Sequence, residues 1–80
     1  MATSDNTAKR DPSDELLTLL ADNVYRLRKE RNLTQEELGE MCDFHPTFIS
    51  MVENKKRNIT ISTLEILAEA LGTTPSKLLS

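Results

Sequence analysis

Apolar side chains recur along this chain every three or four positions, in short runs separated by residues that cap or turn helices. Leu16, Leu20, Val24 and Leu27 stand four, four and three residues apart, which puts them on one face of a helix. The spacing predicts a first helix from Asp11 or Ser13 to about Asn32. Leu17 widens the stripe and Leu19 lies beside it, so the start of this helix is apolar over more of its circumference than one core requires. Two partners for that surface stay open, a second copy of the chain or the chain's own last helix.

The next stretch, TQEELGEMCDFHPTFISMVEN from Thr34 to Asn54, reads as two short helices with a tight turn between them. Thr34 can cap the second helix through its hydroxyl while Glu37 reaches back to the Thr34 amide. Leu38 faces inward, and Gly39 lets another backbone approach closely. The turn is expected at Cys42 to His45. Pro46 cannot sit inside a helix but suits its first position, which makes His45 the N-cap of a third helix. Ile49 and Val52, with Phe48 beside them, then form the inner face. Thr47, Ser50, Met51 and Asn54 point the other way, onto a face with no apolar core to cover.

Lys55 to Ser62, KKRNITIS, has no helical period and opens with three adjacent cations. Such a run is either a solvated loop or, placed directly after an exposed helix face, a contact for phosphates. Thr60 or Ser62 then caps a fourth helix, Ile61 to Leu71, with the stripe Ile61, Leu64, Leu67, Ala68 and Leu71 and a left-handed stop at Gly72. Thr74-Pro75 opens a fifth by the same cap-then-proline logic, carrying Leu78 and Leu79. That helix is barely more than a turn, so its leucines need burial against the fourth helix or a second subunit. The pattern as a whole predicts an all-α fold of five helices over residues 13–80. Residues 1–12, small and polar without periodicity, form an expected disordered tail.

A small residue, apolar anchors around a short turn and a polar outward face together resemble the helix-turn-helix of the phage repressor and Cro family, the XRE type. Leu38, Cys42, Phe44, Ile49 and Val52 fill its apolar positions and Gly39 its small one. The turn position that is usually Gly is Asp43 here, a residue that tolerates the left-handed conformation. The likeness extends from about Asn23 to Leu79, through RLRKERNLTQEELG and FISMVENKKRNITISTLEILAEALG, and the second of these resembles the controller proteins of restriction-modification systems. The resemblance implies a lambda-repressor-like five-helix fold that binds double-stranded DNA as a homodimer, at a palindromic operator, to regulate transcription. It implies a buried ion pair between Arg28 and Glu53; the other reading is two surface charges, and the pair is favoured because a single charge on the inner side of either helix would be costly without its partner. It implies base contacts from Thr47, Ser50, Met51 and Asn54, and phosphate contacts from Gln35, Lys55, Lys56, Arg57 and Asn58. It places the contact between copies at the end of the fold, with Leu78 and Leu79.

A net charge of −3 is unexpected for a DNA binder, and its distribution answers the difficulty. Lys9 and Arg10 stand against Asp5, Asp11, Asp14, Glu15 and Asp22, so the first 22 residues carry the whole imbalance and the rest sums to zero. Positive charge gathers instead at Arg26, Arg28, Lys29 and Arg31 and at Lys55, Lys56 and Arg57. Lys9 and Arg10 could serve as an arm along DNA or simply solvate the tail.

Cys42 and His45 are the only cysteine and histidine. Two ligands fall short of the four that structural zinc takes, so no metal is expected. A nucleophilic cysteine would need a base and an orienting group, which this spacing does not supply. No enzyme activity, cofactor or small-molecule ligand is implied. No apolar run is long enough for a membrane span, and a lone cysteine fits a reducing cytoplasm. The alternative from a different class is a protein-interaction module on the same fold, antitoxin-like or antirepressor-like, which the acidic total favours and the cationic loop disfavours.

Overall fold

The computed structural model describes residues 14–80. The tail over residues 1–12 and the helix start at Asp11 or Ser13 lie outside the described residues. Five helices follow: α1 (Asp14–Glu30), α2 (Gln35–Cys42), α3 (Pro46–Glu53), α4 (Ile61–Ala70) and α5 (Pro75–Leu78). Among the described residues there is no strand. No helix among them is long and apolar enough to cross a membrane.

The helix starts are set by side chains. The Thr34 hydroxyl accepts from the Glu37 amide at 2.9 Å while the Glu37 carboxylate accepts from the Thr34 amide at 2.8 Å, completing the capping box. His45 caps α3, its Nδ1 accepting from the Thr47 amide at 3.1 Å with Pro46 in the first turn. Thr60, not Ser62, caps α4, and Thr74 caps α5 ahead of Pro75.

The helix ends share one device. After each of α1 to α4 a residue takes the left-handed conformation, at Asn32, Asp43, Lys55 and Gly72. The following amide bonds back five residues along the chain: Leu33 to the Arg28 carbonyl, Phe44 to Gly39, Lys56 to Met51 and Thr73 to Ala68, at 2.8–3.0 Å. Only the last uses glycine. α1 therefore stops at Glu30, short of the expected Asn32, because Asn32 already turns the chain with φ 57°.

Val24, Leu38, Ile49, Leu67, Leu71 and Leu78 are fully enclosed at the centre, with Leu20, Cys42, Val52, Leu64 and Ala68 around them. At Gly39 a Cβ would stand 2.6 Å from the Phe44 carbonyl oxygen, so the α2–α3 turn closes over a position that only glycine can fill. Two polar residues fasten the ends. The Asn23 amide donates to the Leu78 carbonyl at 2.9 Å, and Arg31 Nε donates to the Leu71 carbonyl at 2.7 Å, its guanidinium lying over Gly72.

Three expected core or contact positions fall elsewhere. Leu16 is 47% exposed and Ile61 74% exposed. Each sits in the first turn of its helix, where side chains lean toward the N-terminus and here overhang the end of the packed layer. Leu78, expected at the contact between copies, is wholly enclosed in the chain's own core. It has no side-chain surface left for a partner, whereas Leu79 is half-buried.

Candidate nucleic-acid interface

α2 and α3 pack against each other across the Asp43 turn, and α1 crosses behind them. Arg28 of α1 locks the arrangement. Its Nε and Nη2 donate to the two carboxylate oxygens of Glu53 at 2.7 and 3.0 Å, and its Nη1 donates to the Leu33 carbonyl at 2.8 Å. The two side chains are only 8% and 6% exposed. Hydrogen bonding to Glu53 holds the Arg28 guanidinium above its ordinary pKa, outweighing the opposing cost of burial. The pair joins the end of α3 to the end of α1, so the exposed face of α3 has a fixed orientation.

That face carries Thr47 and Asn54, exposed, with Ser50 and Met51 half-buried between the ends. The Asn54 amide donates to the Ser50 carbonyl at 2.8 Å and approaches the Ser50 hydroxyl at 3.3 Å, which occupies part of its donor capacity. Gln35, the expected phosphate contact at the start of α2, donates its side-chain amide to Glu53 at 3.1 Å. Its side chain is thus part of the α1–α3 lock.

Lys55, Lys56, Arg57 and Asn58 follow α3 directly and are all exposed. Among the described residues none of these cations has a carboxylate partner; the ion pairs are Arg26–Glu30 and Arg28–Glu53. Arg57 stacks over the Phe48 ring, 5.6 Å from its centroid, and Phe48 meets Phe44 edge to face at 5.1 Å. The apolar side of α3 thereby steadies the basic loop.

Sequence reasoning missed a second feature of this surface. A groove runs from the end of α1 over the starts of α2 and α3, lined by Lys29, Asn32, Gln35, Thr47 and Ser50 among others. Lys29 and Asn32 lie ahead of the two helices of the helix-turn-helix itself, within the RLRKERNLTQEELG stretch. Their signal was present only as one cation within the Arg26–Arg31 cluster, whose other members bond to neighbouring groups of the chain. Cys42 lies in the core beneath the turn, and burial pushes its thiol pKa up, which leaves it unsuited to nucleophilic chemistry.

This geometry agrees with the comparisons. A helix-turn-helix family model matches residues 24–78. The chain belongs to this family, of the XRE type. It is 48% identical over 66 residues to the control protein C.SmaI of Serratia marcescens, an alignment covering 82% of this chain and 79% of that protein. The crystal structure of a hypothetical transcription factor from Neisseria superposes with a TM-score of 0.80 at 38% identity, covering 89% of this chain and 80% of the other. The restriction-modification controller protein C.AhdI of Aeromonas hydrophila superposes with a TM-score of 0.74 at 27% identity, covering 78% and 94%. The all-α helix-turn-helix fold is established, and the chain is a DNA-binding transcriptional regulator.

Proposed function

We propose that this regulator controls a restriction-modification system, binding a palindromic operator as a two-fold dimer in the cytoplasm. The observation that carries it is the exposed polar face of α3 leading straight into three exposed cations without carboxylate partners. Thr47 and Met51 meet thymine methyl groups, while Ser50 and the remaining capacity of Asn54 supply hydrogen bonds. Pro46 at the start of the same helix donates nothing. Lys55, Lys56, Arg57 and Asn58 hold phosphates and set the register, assisted from the start of α2 by the donor capacity that Gln35 does not give to Glu53.

One such face covers a half-site with few base contacts, so two linked copies multiply the discrimination. The contact between copies is assigned to the apolar cleft of Leu16, Leu17, Leu20, Ile61, Leu64 and Leu79. The exposed Leu16 and Ile61 meet there. Recognition helices about 34 Å apart read half-sites roughly ten base pairs apart. Selection of bound duplexes from a random pool tests the proposal: a recovered inverted repeat with that spacing supports it, and recovery of no common sequence refutes it.

A further inference from the structure

Four cations cluster near the end of α1, and three have hydrogen-bonding or ion-pair partners in the chain. Arg26 pairs with Glu30 at 3.2 Å and donates to Asn23 at 3.1 Å. Arg28 is buried on Glu53, and Arg31 closes the end of α4 through the Leu71 carbonyl. Lys29 is exposed and, among the described residues, has no carboxylate within ion-pair distance. Its ammonium stands 5.9 Å from the centroid of the Tyr25 ring, whose other neighbour is the Arg28 guanidinium at 5.4 Å. Tyr25 is itself half exposed, so the ring holds Lys29 at the surface without neutralising it.

Lys29 and Asn32, from the end of α1, line the same groove as Thr47 and Ser50 of α3. A duplex whose base edges meet Thr47 and Ser50 must carry a sugar–phosphate backbone along the groove. Among the described residues lining the groove Glu36 is the one acid, and the unneutralised cation shares the groove with Thr47 and Ser50. We propose that Lys29, steadied by Tyr25 and joined by the Asn32 side-chain amide, contacts a DNA phosphate at the start of α3. The backbone is then gripped at both ends of the reading helix, by Lys29 at the start and by residues 55–58 after the end. The inference rests on the DNA-binding reading of α3 and adds a contact outside the helix-turn-helix.

The test compares the parent chain with Lys29→Gln, Lys29→Arg and Lys56→Ala on a random-sequence duplex and on the selected operator. Affinities are followed by fluorescence anisotropy between 50 and 200 mM salt. Losing one phosphate contact per half-site makes Lys29→Gln less salt-sensitive, by roughly 3.5-fold in affinity for each half-site across that range and so about 12-fold on the two-half-site operator. Lys29→Arg keeps the parent's slope. Replacing phosphates one at a time by neutral methylphosphonates identifies one position per half-site that weakens the parent and leaves Lys29→Gln unaffected. A Lys29→Gln protein with the parent's slope overturns the inference, even if its affinity falls. If Lys56→Ala still flattens the slope, that failure belongs to Lys29 alone; if neither does, the DNA-binding reading of α3 falls with it.

Discussion

Lys55 holds two roles that oppose each other. Its φ of 62° places an L-residue in the left-handed region at the stop of α3, a conformation that strains every side chain with a Cβ. Its charge stands at the head of the basic loop. Lys55→Gly relieves the strain and is expected to raise unfolding stability by about 1 kcal/mol, while flattening the salt dependence of DNA binding. Chemical denaturation and a salt titration on the same protein check both signs. Cys42 gives a pH dependence. Burial raises its pKa in the folded state alone, so the folded thiol stays neutral where the unfolded one ionises. Its contribution to stability is intact below the ordinary thiol pKa of about 8.5 and declines as pH rises above it. Thermal midpoints should therefore fall more steeply on the alkaline side in the parent than in Cys42→Ala. At this scale the sequence disclosed residue types better than their commitments. Gln35 and Asn54 stood at plausible DNA-facing positions, yet the Gln35 amide serves Glu53 across 18 residues and the Asn54 amide serves Ser50 within its own helix. The first commitment depends on how α1, α2 and α3 pack, and the second is a local competition for a carbonyl that sequence spacing leaves undecided.

Helix identities were legible because their starts are local chemistry. Thr34, His45, Thr60 and Thr74 cap through atoms two or three residues away, so the signal lies within a single turn. Which stripe residues are covered depends instead on what lies beyond each helix end. Leu16 and Ile61 fit the apolar period and remain exposed, because among the described residues the packed layer does not cover the first turns of α1 and α4. The division of labour on α3 and its loop gives the prediction at this scale. Thr47 is exposed on the reading face and donates only its backbone amide, to His45, leaving the methyl and hydroxyl free for bases. Thr47→Ala should shift sequence preference by roughly 1–3 kcal/mol at one base pair. Lys56→Ala should weaken all sequences alike and lower the salt slope by about one unit per half-site. Competition binding with single-base operator variants distinguishes them, and a Thr47→Ala protein weakened equally on every sequence would refute its assignment as a base reader.

Among the described residues the helices share one core, and an apolar cleft beside it stays open. Leu38, Ile49, Leu67, Leu71 and Leu78 are wholly enclosed, and a chain of this size gains little stability beyond such a cluster. Leu16, Leu17, Ile61 and Leu79 meet at the cleft between the start of α1 and the start of α4. The apolar excess at the start of α1 was visible in the sequence, but its location beside Ile61 required the tertiary fold, and with Leu78 enclosed this cleft is the proposed dimer contact. Ile61→Glu tests that placement with little risk to folding. The side chain is 74% exposed, and a carboxylate in the first turn of α4 favours the helix. Two such charges buried in a two-fold contact oppose association. The parent should sediment as a dimer across micromolar concentrations and the variant as a monomer with an unchanged thermal midpoint at low concentration. On the full operator the variant should lose about 10²-fold or more, because the second half-site no longer binds as a tethered copy. On an isolated half-site the two proteins should bind alike. If Ile61→Glu remains a dimer, the contact lies elsewhere; if the parent is a monomer both free and on the operator, the two-fold mechanism itself fails.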